Sequence, residues 1–188
     1  MEEVCPNVLT FSCPCHSAAL AAHAACQTIP DFCTDFLKKI AKFVNSSPKR
    51  TAIFRDFCIS FDQKNLKLKK LCDTRWLSHF QCVDRLLQHW NTIQLFLNEQ
   101  VVSEKSKPAE ELLLIMDRVD TKAYFLFFFN ILNDFNAFNA YFQGVETLIH
   151  LLQPKTRNFL FKICQNFVKN EHLKSFNINI VFSLKENQ

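Results

Sequence analysis

Cys13, Cys15, His16, His23 and Cys26 form the densest grouping of metal-capable side chains in the chain. Tetrahedral zinc takes four Cys or His ligands, usually as two spaced pairs. Cys13 and His16 could supply one pair. His23 and Cys26 lie two turns further along an Ala-rich stretch, so convergence would require a tight reversal of the backbone. The spacing predicts local Cys/His hydrogen bonding, with no bound metal and no other cofactor. Acid–base work on phosphate needs two or three carboxylates converging on one point. Here Asp35, Asp56, Asp84, Glu99, Asp117 and Asp134 stand singly. Nine cysteines and six histidines allow many Cys–His pairings on paper, but no nucleophile elbow or oxyanion signature accompanies them. Spacing alone assigns no catalytic residue.

Charge is the second chemical signal. The net charge is +4, yet Lys38 to Lys70 holds ten Lys or Arg against Asp56 and Asp62, a local excess of +8. Lys38, Lys39, Lys42, Lys49 and Arg50 lead that run. They are candidates to face nucleic-acid phosphate or a protein partner, or simply to solvate a helix face.

These side chains must be positioned by helices. With one Gly in 188 residues, the chain cannot build the glycine-rich loops that cradle phosphates. Turn-rich sandwiches and barrels are disfavoured for the same reason. The N-terminal MEEVCPN carries two carboxylates and no apolar run, so no secretory signal is expected. Free thiols in a reducing, intracellular compartment are the expected state of the cysteines. The most apolar window, Ala123 to Leu132, is only ten residues long. It is too short to span a bilayer, so no membrane association is expected.

Along the chain, Asn7 to Ser12 reads as one short strand, followed by an Ala-rich helix from about His16 to Gln27. Asp31 to Val44 is amphipathic, with Phe32, Phe36, Ile40 and Phe43 on one face. Ser47 should cap, and Pro48 open, the next helix, which runs to Cys58–Ser60 with Ile53, Phe54 and Phe57 inward. After the basic connection Gln63 to Leu71, a single helix from Asp73 to Glu99 is predicted, about 40 Å long. Its stripe is Trp76, Phe80, Val83, Leu87, Trp90, Gln94 and Leu97. A polar loop, Ser103 to Pro108, precedes helices at Ala109 to Asp117 and Thr121 to Phe142. The second of these should bury Tyr124, Phe128, Ile131, Phe135, Phe138 and Phe142, with Gly144 as its C-cap. A final helix starts at Val145, is restarted by Pro154, and carries Phe159, Leu160, Ile163 and Phe167 inward. The last residues should fray.

Two motifs in order resemble those of hAT-superfamily DNA transposases. Cys13-x-x-His16, between a short apolar strand and an Ala-rich helix, resembles that family's C-x-x-H motif. Thr74-Arg75-Trp76-Leu77-Ser78, followed by Val83, Arg85, Leu86 and Trp90, is similar to its arginine–tryptophan helix. Asn45 to Arg50 with Phe54 and Phe57 fits the segment between them. The likeness covers about Val8 to Val168 and is closest to vertebrate relatives derived from such elements, zinc-finger BED-type and MYM-type proteins among them. It implies a mainly α chain: a helical insertion-domain-like bundle with a short strand–helix remnant of an RNase H-like fold. The implied divisions are 1–29 for the remnant, 30–170 for the helical domain and 171–188 for a tail. In the family an Asp, Asp, Glu triad holds the catalytic metals; the alignment leaves all three outside this chain, or the Glu near its end. The resemblance therefore implies no enzyme activity. It points to Cys13 and His16 beside the former active-site edge, and to Arg75 and Trp76 on the helix that approaches DNA. A protein partner or self-association is expected, with weak DNA contact as the alternative and a nuclear location.

Overall fold

A computed structural model describes residues 13–63, 67–71, 76–143, 148–169 and 171–172, with backbone only at 76, 77 and 149. Eight α-helices and one short 3-10 turn are found there, with no strand among the described residues. They are α1 (Pro14–Cys26), α2 (Asp31–Asn45), α3 (Pro48–Ser60), α4 (Trp76–Gln88), α5 (Trp90–Glu104), α6 (Lys107–Met116), α7 (Thr121–Phe142) and α8 (Leu152–Gln165), with the turn at Ile149–Leu151 before α8. The expected strand at 7–12, Arg75, the Gly144 cap and all but two residues of the tail lie outside the described residues. The chain divides into two compact units, one of residues 19–133 and one of 1–18 with 134–188; α1 and α7 contribute to both.

Local chemistry accounts for the helix boundaries. Cys13 is the N-cap of α1: its carbonyl accepts the first intrahelical bond from Ser17 N–H at 3.0 Å, and Pro14 follows at the one position where a missing N–H costs nothing. Ser47 caps α3 as expected, its Oγ accepting from Arg50 N–H at 3.4 Å with Pro48 next. Between α5 and α6 the chain reverses through Lys105, which sits in the left-handed region at φ 47°. Gln100 C=O accepts the Ser106 N–H at 3.3 Å across that reversal. In a chain with one Gly, Lys105 and Asp62 (φ 51°) fill the positions where glycine is usual.

The larger unit is built around α5. Ile93, Phe96 and Leu97 have no exposed surface, and Phe96 is ringed by Phe43 of α2 and by Phe54 and Phe57 of α3, at centroid distances of 6.2, 5.5 and 6.2 Å. Phe36 and Trp90 meet Phe125 of α7 at 5.9 and 6.2 Å. Tilted and edge-on rings at these spacings gain beyond the area they bury.

Three expectations need correction. The single helix over 73–99 is two: α4 ends at Gln88, and His89, at φ −107° and ψ 16°, starts α5 afresh. The break moves the buried stripe. Leu86 is enclosed while Leu87 is half-buried, and Ile93 with Phe96 replaces Gln94, whose amide instead donates to Asp117 Oδ1 at 2.7 Å. In α7 the boundaries are as expected, and Ile131, Phe135 and Phe138 are buried as expected with Phe128 and Phe142 half-buried; only at its start does the face differ, where Phe125 is enclosed and Tyr124 is exposed. Five consecutive apolar residues, Phe125 to Phe129, give that stretch of the helix no unique apolar side to read. In α8 no residue is fully buried; Phe159, Leu160 and Ile163 are half-buried and Phe167 is exposed. Phe159 still meets Phe135 and Phe138 at 5.0 and 4.5 Å.

Phe96→Ala removes the ring at the centre of this arrangement and is expected to cost about 3–5 kcal/mol. A urea titration of the wild type and the variant, followed by far-UV circular dichroism, measures the difference.

Candidate interaction surface

The residues singled out by sequence fall in different places. Cys13 and His16 are exposed at the start of α1, and Cys15 between them is half-buried with its Sγ 3.7 Å from the Asn139 carbonyl oxygen. Burial, then the neighbouring Cys13, raises the Cys15 thiol above its ordinary pKa. His23 lies beside Gln27, ring nitrogen to amide 3.3 Å, and Cys26 is buried with its thiol pushed up to about 11. No group of three or more Cys, His, Asp or Glu able to hold a metal occurs among the described residues. Trp76 opens α4.

The carboxylates are engaged one at a time. Asp120 takes a two-pronged contact from Arg118 at 3.1 and 2.9 Å, and Asp84 accepts from Gln88 at 2.8 Å. Glu99 accepts from Ser103 and from Gln100, each at 2.6 Å, and Glu104 pairs with Lys49. Asp134 pairs with Lys162.

A buried Cys–His pair does exist, at the α4–α5 break, and sequence spacing gave no sign of it. His89 is 2% exposed, and its Nδ1 lies 2.7 Å from Gln63 Oε1 and 3.9 Å from Cys58 Sγ. Thr92 Oγ1 donates to the same Gln63 oxygen at 2.8 Å. An amide oxygen only accepts, so Nδ1 carries the proton and Nε2 is the bare nitrogen. That Nε2 is buried without a hydrogen-bond partner. An activated thiol needs an imidazole free to take its proton. Here Nδ1 is already a donor to Gln63, and burial raises the Cys58 thiol above its ordinary range. The group ties the end of α3 to the start of α5.

The basic run is arranged by the same core. Lys39, Lys42 and Phe43 of α2 with its C-cap Ser46 form one stripe, and Pro108, Glu111, Leu112 and Ile115 form the matching stripe of α6, each at i, i+3, i+4, i+7. Between the stripes lies a cleft of 340 Å³, to which Arg50 of α3 also contributes. Phe43 and Leu112 are buried and Ile115 half-buried, while Lys39, Lys42 and Glu111 are exposed. Arg50 is held in place: its guanidinium lies 4.2 Å over the Phe43 ring and its Nη2 donates to Ser46 Oγ at 3.1 Å. Lys49 points elsewhere, bound to Glu104 at 2.6 Å, and Lys38 belongs to a different cleft with His23 and His79. Further along, Leu68 and Leu71 are buried and the Leu68 carbonyl accepts from Asn45 at 3.0 Å. Lys67, Lys69 and Lys70 are therefore exposed from an anchored backbone, not from a loose loop. Sequence reasoning missed Pro108, Glu111, Leu112 and Ile115. Their spacing was visible, but which helix they would face was not.

No family model, curated protein or solved structure matches this chain. No helix among the described residues is long and apolar enough to cross a membrane.

Burial, then the nearby Arg85 charge, lowers the His89 pKa below its ordinary 6.5. The unfolded chain thus binds the proton more readily than the folded one, and stability falls as pH drops below about 6.5. Wild-type urea midpoints should decline from pH 7.5 to 5.5. His89→Asn, whose amide can still donate to Gln63, should show a shallower decline.

Proposed function

We propose that this chain is a helical protein derived from an hAT-superfamily transposase, without that family's metal-dependent strand cleavage, and that it acts by binding another protein. The derivation rests on the ordered resemblance of Cys13-x-x-His16 and of Thr74 to Ser78, which also favours a nuclear location. The carboxylates described above support the loss of catalysis, since each is committed to a separate local partner. The association rests on one observation above all: the α2–α6 cleft combines an apolar floor with a charged rim. Protein interfaces share that anatomy, an apolar centre surrounded by polar groups. Exposed Tyr124, Leu126 and Phe127 on α7 add apolar surface of the kind that marks contact sites.

A photo-crosslinking residue placed at Lys39 or Lys42 in cells should capture the same discrete protein, and one at exposed Asn91 should not. Capture of nothing from either cleft position overturns the association reading. Purified protein with supercoiled plasmid and Mg²⁺ or Mn²⁺ should give no nicking above background; robust nicking overturns the loss of catalysis.

A second reading, nucleic-acid binding, is favoured by Lys67, Lys69 and Lys70, which project from a fixed segment next to Arg55 of α3. Such binding is driven by counterion release, so its logarithm falls linearly with log salt at about 0.9 per phosphate contacted. Anisotropy of a labelled duplex at increasing salt tests it, and binding that is absent or insensitive to salt rejects it.

A further inference from the structure

We infer that the α2–α6 cleft accepts an amphipathic helix from a partner, with one or two aliphatic side chains seated on Pro108 and Ile115 above the enclosed Phe43 and Leu112, and carboxylates beside them meeting Lys39, Lys42 and Arg50. This deepens the association reading and rests on it.

Shape is the first reason. Each wall is four residues spanning eight positions, about 10 Å from first to last at 1.5 Å per residue. That length matches two turns of a third helix, whose apolar anchors would recur at three- and four-residue steps as in other helix-in-groove contacts. Charge is the second reason. Three cations and one carboxylate border the cleft. Neither the Lys39 nor the Lys42 ammonium has a hydrogen-bonding or ion-pair partner among the described residues, and Arg50 is pre-positioned by its stacking on Phe43 and its bond to Ser46. A guanidinium held this way loses little freedom on meeting a carboxylate, and its fork suits that geometry.

The same features disfavour nucleic acid at this cleft. Single-stranded binding sites offer exposed aromatic faces for base stacking. The one ring here, Phe43, is buried and covered by Arg50. Glu111 also places a negative charge where a phosphate track would run.

The experiment uses the full chain and a fluorescein-labelled peptide of about three helical turns, with Leu at i, i+3 and i+7 and Asp or Glu at the flanking positions. A counterpart with every carboxylate replaced by Lys, and a labelled single-stranded oligonucleotide, serve as controls. Anisotropy should show saturable binding of the acidic peptide alone. The double variant K39E/K42E, confined to exposed positions, should weaken it by about tenfold or more. Glu111→Lys should strengthen it by about threefold, a gain that misfolding cannot produce. Equal binding of the acidic and Lys peptides, or an acidic-peptide affinity unmoved by both variants, overturns the inference. Tighter oligonucleotide binding that is lost in K39E/K42E overturns it in favour of nucleic acid. If crosslinking at Lys42 captures a protein in cells while the acidic peptide does not bind, the ligand chemistry fails and association stands. If neither occurs, both fail.

Discussion

The break at His89, tied to Gln63, is the constraint on which the packing of the larger unit turns. Without it, α4 and α5 would be one rod, and the stripe that faces α2 and α3 would be set by α4. With it, α5 starts at Trp90 and passes through the centre of the larger unit, its Thr92, Ile93, Phe96, Leu97 and Gln100 all buried. The break has no proline or glycine to cause it. It is held from outside, by the Gln63 amide oxygen that receives both the His89 and the Thr92 protons. A buried imidazole with one nitrogen unpartnered is costly. The two bonds to one oxygen, together with the burial of Ile93 and Phe96 that they permit, offset that cost.

The basic surface follows from this arrangement. Because α5 fills the centre, α2 and α6 meet across it with their inner faces covered, and only the shoulders of each helix are left to line a groove. On α2 those shoulders are lysines; on α6 they are proline, glutamate and isoleucine. The result is a groove with an apolar floor and a predominantly cationic edge. The stacking of Arg50 over Phe43 keeps one of its charges from wandering.

Sequence reading captured what is local. Ser47-Pro48 names its own helix start because the cap and the fixed φ act within one turn. The ends of α2 and α7 were legible for similar reasons. The His89 break was not, because its cause lies 26 residues away at Gln63. Ile131, Phe135 and Phe138 of α7 were legible as inward, but the start of its face was not, since Phe125 to Phe129 offers apolar side chains in every direction and Phe36 and Trp90 single out Phe125. The lysines of the cleft were identified from charge alone. Their counterparts on α6 were invisible, because nothing in a one-dimensional pattern states which helix will lie beside which.

The bare surface of α8 has a consequence of its own. A helix that hides none of its residues completely has little to lose by opening. Its amides should therefore trade hydrogen for deuterium through small, frequent excursions, while those of α5 wait for the larger unit to come apart. The two parts of the chain need not share one melting event, and a protease should cut α8 well before it reaches α5.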